Sequence, residues 1–224
     1  MTFAEMVAEV QSIIQDAFWT ETKIKALINQ AYNIVAKGII MEQDGKKIVT
    51  PPLPDLYTTG VLAATNAGAG VVAMPVDFDR DLIQVVNASS QNVAIDYSFK
   101  RFLLKNFAKD AGSVTTCSRH GTNFYYRDIP ADTENLTIHY YKAPTALSAD
   151  GDEPDELPEG LHRPIFVGYA CSEIFKQIED GVEGQKISSV FWANEFRLGL
   201  LENLALIVGH DSGPNNYDIS GSTK

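Results

Sequence analysis

The stretch from Ile138 to Gly181 decides the fold: IHYYKAPTALSADGDEPDELPEGLHRPIFVGYACSEIFKQIEDG. Its first residues alternate between apolar and polar side chains, which predicts a strand that ends before Pro144. One face of this strand carries Leu136, Ile138 and Tyr140, and the other carries Thr137, His139 and Tyr141. An acidic segment follows, a Leu-Pro pair turns the chain, and an apolar helical pattern begins. The stretch therefore joins a β-rich part of the chain to a helical part.

Two helices are predicted after Pro158. The first has one apolar face and ends at Gly181; the face consists of Val167, Ala170, Cys171, Ile174 and Ile178. The second ends at Gly209 and repeats apolar residues at alternating intervals of four and three. Its row consists of Ile187, Phe191, Asn194, Leu198, Leu201, Ala205 and Val208. Such a row is typical of a core or of a seam between helices.

Two further helices are predicted at the other end of the chain. Thr2 and Glu5 have the spacing of a capping box, which predicts a helix start at Thr2. Thr20 can cap a second helix, with Trp19 and Ile24 placed as a hydrophobic staple across it. Gly38 is a suitable stop for this helix. The two helices are expected to form an antiparallel hairpin.

The part between the helices is rich in short β patterns, and Pro51, Pro52 and Pro54 exclude a helix at its beginning. The predicted strands are Val71–Met74, Leu82–Val86, Val93–Tyr97, Asn123–Arg127 and Leu136–Tyr141. The predicted fold class is thus α+β. Residues 1–40 and 158–209 form an antiparallel helical bundle, residues 41–157 form an inserted antiparallel β-rich domain, and residues 210–224 form an extended C-terminal tail.

Composition limits the classes of partner. The chain has 224 residues, a formal net charge of -11 and a pI of about 4.7. This balance opposes non-specific binding to nucleic acid and docking on an anionic membrane. No apolar run reaches the roughly 18 residues of a transmembrane helix, and the N-terminus lacks a signal-peptide pattern. Two cysteines are too few for a disulfide framework, and Cys171 is predicted to be a buried free thiol. We expect a soluble protein made in a reducing cytoplasm.

No motif for catalysis, cofactor binding or metal binding is found. The four histidines do not form a zinc-protease pattern, and Cys117 and His120 lack a third nearby ligand. Gly68 and Gly70 lack the Lys-Ser or Lys-Thr of a phosphate loop, so they predict a hairpin tip. We therefore predict no enzyme, cofactor or metal site. An enzyme would need dispersed groups such as His139, Glu173 and Asp180 to meet in one pocket.

Two charged segments leave alternatives open. The acidic run consists of Asp150, Asp152, Glu153, Asp155, Glu156 and Glu159. Its spacing does not fit a calcium loop, so a solvated linker is favoured over a contact with a basic partner or a cation site. The second segment combines Lys100, Arg101, Lys105 and Lys109 with Phe99, Phe102, Leu103 and Phe107. An amphipathic helix with a buried Phe face is favoured over a nucleic-acid contact, because the whole chain is acidic.

The layout of the chain resembles the head-to-tail adaptor (connector) proteins of tailed bacteriophages. One matching piece is Trp19-Thr20 leading into KIKALINQAYNIVAKG, which is similar to the W-S/T start of the adaptor's N-terminal helix pair. The other runs from Tyr140-Tyr141-Lys142-Ala143-Pro144 through Asp155-Glu156-Leu157-Pro158 into the helix that contains Tyr169.

This resemblance implies a structural role in the neck of the virion, at the head-tail junction. Copies of the chain would form a ring, expected to be twelvefold, between the portal protein and the tail or nozzle proteins. Genomic DNA would pass through the lumen without specific binding. The C-terminal segment would bind the portal through Tyr217 and Ile219, flanked by Asn216 and Asp218. The alternative is a structural protein of the tail tube or baseplate.

Overall fold

The computed structural model of the chain describes residues 1–38, 40–43, 46–49, 53–65, 70–104, 112–180 and 187–200. It confirms the mixed α+β class and divides the chain into two compact units. The first unit combines residues 1–54 with 144–224, and the second takes residues 55–143. The tail at 210–224 lies outside the described residues, so the predicted three-part division remains a prediction.

Helices lie toward both ends of the described chain, and the strands lie between them with one α-helix, Phe99–Leu104, among them. The helices are α1 (Phe3–Ile14), α2 (Glu21–Ala36), α3 (Phe99–Leu104), α4 (Glu159–His162), α5 (Gly168–Glu179) and α6 (Ile187–Leu198). A π-helical turn, Arg163–Val167, joins α4 to α5. The strands are β1 (Ile40–Gln43), β2 (Lys46–Val49), β3 (Tyr57–Ala64), β4 (Val71–Ala73), β5 (Phe78–Val86), β6 (Ala94–Ile95), β7 (Thr116–His120), β8 (Asn123–Arg127) and β9 (Glu134–Lys142).

The ends of the first two helices follow the predicted signals with one exception. Thr2 and Glu5 form the capping box, in which the Glu5 carboxylate accepts from the Thr2 N–H at 2.8 Å. Helix α2 ends just before Gly38, whose φ of 74° lies in the left-handed region that glycine tolerates. Thr20 does stand at the start of α2, but the predicted side-chain cap is wrong. Its backbone carbonyl instead accepts from Lys23 and Ile24.

The helices of the first unit bury their apolar faces against one another. The buried side chains include Phe3, Met6, Val7, Val10, Ile24, Ile28, Ala31, Tyr32, Val35, Ile165, Phe166, Ala170, Cys171 and Ile174. Tyr32 of α2 meets Phe166 of the π-helical turn edge to face, with ring centroids 5.8 Å apart. Full burial of one such side chain stabilises a fold by about 1.5–3 kcal/mol. The predicted face of α5 is buried at its first four positions, whereas Ile178 is exposed.

Residues 147–159, which we call the acidic strap, bind along α1 and α2. The backbone carbonyls of Asp152 and Asp150 accept from the N–H groups of Phe3 and Ala4 at 2.8 and 3.0 Å. The Asn29 side chain both accepts from and donates to the Leu147 backbone, at 2.8 and 3.0 Å. The two bonds from Phe3 and Ala4 satisfy N–H groups in the first turn of α1 that have no partner within the helix.

Side chains of the strap reinforce this attachment. Asp150 forms an ion pair with Lys25 at 2.7 Å, and Tyr32 donates a hydrogen bond to Glu156. Leu147, Pro154 and Leu157 are buried, whereas Glu153, Asp155 and Glu159 are exposed. The prediction of a solvated linker is therefore right for the exposed carboxylates and wrong for the backbone, which is bonded to the helices.

The second unit contains two sheets. The first has the order β3-β9-β5 and is antiparallel throughout. The second has the order β4-β8-β7-β6, and its β6–β7 pair is parallel, which corrects the prediction of a purely antiparallel domain. All five predicted strands are present; Asn123–Arg127 has the predicted ends, and the other four have altered ends. The prediction missed β3 and β7, which pair with the predicted strands β9 and β8. It also missed β1 and β2 of the first unit, which pair with each other.

The core of the second unit combines the inner faces of both sheets. Leu136, Ile138 and Tyr140 are buried as the alternation of β9 predicts. They belong to one cluster of buried side chains with Leu62, Leu82 and Val85 of the first sheet, Cys117, Phe124 and Tyr126 of the second, and Val93 and Val114 between strands. Buried Glu134 accepts from the Val114 N–H at 2.8 Å and thereby satisfies a backbone donor inside this core.

Helix α3 partly confirms the predicted amphipathic helix. Phe102 is fully buried, and Phe99 stacks on His120 with ring centroids 4.4 Å apart. Arg101 pairs with the buried carboxylate of Asp96 at 3.3 Å, whereas Leu103 is exposed. Lys105, Phe107 and Lys109 lie outside the described residues. The described part thus supports the buried Phe face that was favoured over a nucleic-acid contact.

Two glycines allow α6 to lie close to the π-helical turn and α5. A Cβ added at Gly199 would come within 2.8 Å of the Pro164 Cβ, and one at Gly168 would come within 3.2 Å of the Phe196 nitrogen. We expect Gly199→Ala and Gly168→Ala each to destabilise the first unit by about 1–3 kcal/mol, because the backbones must separate. Urea unfolding followed by tryptophan fluorescence measures this, since Trp19 and Trp192 both lie in the first unit.

Gly160→Ala is the matched control for the two glycine variants. A Cβ at Gly160 meets no atom within 4 Å, and alanine is the better helix former by about 1 kcal/mol. It should therefore leave the urea midpoint unchanged or raise it. Equal midpoints for all three variants would contradict the close packing of α6.

The strap should also give the fold a defined sensitivity to acid. Hydrogen bonds from the backbone N–H groups of Ser148 and Ala149 lower the pKa of Asp152 below 3.8. The ionised Asp152 carboxylate therefore stabilises the folded chain at pH values above the pKa that it has in the unfolded chain. This stabilisation disappears as the pH falls through its lower pKa in the folded chain. Asp152→Ala should destabilise the protein at pH 6, and its difference from the wild type should shrink below pH 3.8.

Asp155→Ala serves as the control, because the Asp155 carboxylate makes no hydrogen bond within the described part of the chain. It should leave the unfolding free energy nearly unchanged at every pH, as urea titrations from pH 6 to pH 2 can measure. A loss for Asp152→Ala that stays constant down to pH 2 would contradict the ionic origin of the effect.

Candidate assembly surfaces

The outer side of α6 is an apolar surface that the rest of the described chain leaves uncovered. Its exposed large side chains are Ile187 (63%), Val190 (54%), Phe191 (54%) and Leu198 (46%). Asn194 is exposed among them. Positions three or four apart share a face of a helix, so these residues form a single row, which we call the α6 row.

The opposite side of α6 is held firmly against the first unit. Phe196 meets Tyr169 of α5 edge to face, with centroids 5.2 Å apart, and Leu200 just past the helix is fully buried. At the start of α6, Glu179 accepts from the N–H groups of Ser188 and Ser189 and from the Ser189 hydroxyl. The hydroxyl bond is the main reason that the pKa of Glu179 is lowered. The row therefore has a fixed orientation.

The structure corrects the prediction of a core position for this row. The inner face of α6 consists of Ser189, Phe196 and the small Gly199, which pack against the rest of the first unit. The exposed face therefore carries Ile187, Phe191, Asn194 and Leu198. A helix that is apolar on both sides is normally enclosed on both sides. The seam interpretation remains a prediction, and the later members of the row, Leu201, Ala205 and Val208, lie outside the described residues.

A second surface lies at the corner between α1 and α2. It is a recess of about 300 Å³ lined by Gln11, Ile14, Gln15, Asp16, Ala17, Trp19, Thr20 and Ile24. Gln15 ends α1 in the left-handed conformation, which directs the chain sharply into the corner. Phe18 is exposed beside the recess, and the Lys23 ammonium lies 3.2 Å from the centre of its ring. The corner thus combines apolar walls with one carboxylate and a nearby cation.

The residues predicted to bind the portal lie elsewhere in the sequence. Asn216, Tyr217, Asp218 and Ile219 are all outside the described residues, so their role remains a prediction. Sequence reasoning missed the corner recess. It did notice Trp19 and Ile24 as a staple, but a staple pattern predicts contact between two side chains and gives no information about the empty space beside them.

The side chains considered for catalysis have structural partners. His139 lies 2.5 Å from the Tyr57 hydroxyl, and Glu173 pairs with Lys176 one turn further along α5. Buried His162 lies 3.0 Å from the Leu157 carbonyl. Within the described ranges, no three His, Cys, Asp or Glu side chains are grouped to hold a metal ion. In the same residues, no helix has the length and apolar character needed to cross a membrane.

Both cysteines are buried free thiols, as predicted for Cys171. Burial raises the pKa of Cys117 and of Cys171 to about 12. We expect neither to react with a thiol reagent such as 5,5′-dithiobis(2-nitrobenzoate) in the folded protein at pH 8, because the thiolate is the reactive form. Both should react once urea unfolds the chain. A rapid stoichiometric reaction of the folded protein would contradict the burial.

Comparison with known proteins places the chain in a family. No curated protein sequence matches it. The family model described as SU10 adaptor protein matches residues 1–216, which include α1, α2, both sheets, the strap and α6. The match confirms the resemblance to phage head-to-tail adaptors that the sequence motifs suggested. The chain therefore belongs to the SU10 adaptor protein family.

Proposed function

We propose that this chain is a structural head-to-tail adaptor that forms a ring, expected to be dodecameric, between the phage portal and the tail. The observation that carries the proposal is the family match over residues 1–216. In this proposal the chain has no catalytic role and acts in the neck of the virion, as part of the channel through which DNA leaves the head.

The proposal assigns a role to each part of the chain. The N- and C-terminal helices form an antiparallel bundle, the β-rich part is an insertion directed toward the tail or nozzle proteins, and residues 210–224 extend to the portal. The burial of α1, α2 and α5 against one another supports the first of these roles. Aromatic and large apolar side chains often dominate an interface, which supports Tyr217 and Ile219 as the portal anchors.

Charge supports passage of DNA without binding. Residues 1–54 and 144–224 contain 20 acidic and 10 basic side chains, whereas residues 55–143 contain 9 and 8. Nearly all of the net charge of -11 thus belongs to the first unit. A lumen lined by this unit would repel the phosphate backbone rather than retain it. Exposed Glu153 and Asp155 of the strap would add to this repulsion.

The alternative function is a structural protein of the tail tube or baseplate. Sedimentation velocity of the purified chain, alone and mixed with the portal protein of the same phage, distinguishes the two. An adaptor moves into the portal peak at a fixed ratio. A chain that ignores the portal and joins tail proteins would be a tail component.

The double variant Tyr217→Ala/Ile219→Ala tests the tail anchor. We expect its affinity for the portal to fall about tenfold or more, because two large side chains leave the interface. We expect the unfolding midpoint to stay unchanged, because described residues outside positions 210–224 already form the buried core of the first unit. Titration of the portal with labelled protein, read by sedimentation or fluorescence anisotropy, measures the affinity.

Ser212→Ala/Ser222→Ala is the control for the tail anchor, because it changes the same segment without removing a large side chain. Undiminished binding of the Tyr217→Ala/Ile219→Ala variant would exclude the tail anchor while leaving the adaptor function open.

A further inference from the structure

We propose that the α6 row of one copy packs into the α1–α2 corner recess of the next copy, so that α6 is the contact between neighbouring subunits. This inference rests on the proposed homo-oligomeric ring and names the two surfaces that would form it. A ring needs a heterologous contact, in which two different surfaces of the same chain meet. The described part of the first unit offers both: the exposed apolar α6 row, and a recess whose apolar walls are Ile14, Ala17, Trp19 and Ile24.

The first argument is that α6 has apolar side chains on opposite sides. Its inner side is filled by Phe196 and Leu200, yet its outer side still presents four large apolar residues. A helix in contact with water on one side normally carries polar residues there. The row therefore fits a helix whose outer side is covered in the assembled protein. In the sequence, Leu201, Ala205 and Val208 continue the same spacing.

The second argument is size. A cavity of about 150 Å³ is enough to hold a benzene molecule. The corner recess has about 300 Å³, so the ring of Phe191 and one aliphatic neighbour fit into it. Its walls include Ile14, Trp19 and Ile24, of which Trp19 and Ile24 are otherwise buried. Filling the recess would cover the half-buried Ile14 side chain and exclude water from this wall.

The third argument is charge complementarity. At 100° per residue along a helix, Arg197 and Glu195 border the row on opposite sides. Neither forms an ion pair with any residue that the structure describes. The corner carries Asp16 on the wall of the recess and Lys23 beside it, with no basic residue lining the recess itself. A copy placed with Arg197 toward Asp16 and Glu195 toward Lys23 would pair opposite charges at the rim of an apolar contact.

Two variants separate the surfaces. Phe191→Glu places a charge in the row, and Ala17→Trp fills the recess; both positions are exposed, so the fold should tolerate them. Each should weaken self-association about tenfold or more, measured by sedimentation velocity of the full chain alone and with the portal protein. The controls are Gln177→Glu, which adds the same charge on α5, and Ala8→Trp, which adds the same bulk on α1 outside the recess. Both should assemble like the wild type.

A mixture of the two variants gives the decisive result. Each lacks a different half of the contact, so together they should form one intact contact and stop at two subunits. A row-to-row contact would instead impair Phe191→Glu alone, leave Ala17→Trp self-associating like the wild type and give no two-subunit complex that contains both variants. That result would overturn the proposal.

A cross-link provides a second measurement that does not depend on weakening the assembly. The double variant Ala17→Cys/Asn194→Cys, which keeps Phe191, should be joined between subunits by a short bismaleimide, whereas the buried native thiols stay unreactive. Assemblies that form normally without this cross-link would overturn the proposed surfaces and leave the adaptor function standing. A chain that never self-associates, alone, with portal or with tail proteins, would remove the ring and this inference together.

Discussion

The attachment of the acidic strap to the start of α1 is the constraint on which the first unit depends. A helix begins with N–H groups that have no partner within it, and leaving them buried and unbonded is costly. Here the carbonyl of Asp152 accepts from the N–H of Phe3, and that of Asp150 accepts from the N–H of Ala4. Residues about 150 positions apart in sequence are thereby fixed to each other. The strap ends where α4 begins, so this attachment also sets where the second group of helices starts.

The same segment has two physical roles, and its residues divide between them. Asp150 and Glu156 are used internally, against Lys25 and Tyr32. Glu153 and Asp155 stay in solvent. An exposed ion pair contributes little to stability, so the strap is held chiefly by its backbone bonds and by buried Leu147 and Leu157. The exposed carboxylates of Glu153 and Asp155 therefore add negative charge to the surface and are not needed to hold the strap on the helices.

Much of the fold could be predicted from local sequence signals. The capping box at Thr2 and the glycine stop at Gly38 are local, and both are confirmed. Strand β9 was found because its alternation is regular. Strand β3 was missed because Gly60 and its alanines weaken the strand signal. Its Gly60 is explained only by the fold, since an added Cβ would come within 3.1 Å of the Tyr140 ring.

The candidate surfaces were harder to predict than the elements that carry them. The spacing of Ile187, Phe191 and Leu198 correctly indicates an apolar face, but spacing does not say whether the chain itself covers that face. Two close approaches at glycines determine which face of α6 is buried. Phe196 packs against Gly168, and Pro164 packs against Gly199, so the face opposite the α6 row lies against the rest of the unit. The recess has no sequence signal, because it is defined by the space between two helices rather than by a residue pattern.

In the proposed assembly, the α6 row and the net charge of the first unit have opposite effects on association. The exposed α6 row alone favours association, because an uncovered apolar helix face is a general liability. The unit that carries the row also holds 20 acidic side chains against 10 basic ones, so two copies repel each other at distances comparable to the screening length of about 8 Å at physiological salt. A contact in which Arg197 and Lys23 meet opposite charges would overcome this repulsion at one orientation and not at others. Apolar contact would then supply affinity, and net charge would restrict it to the correct geometry.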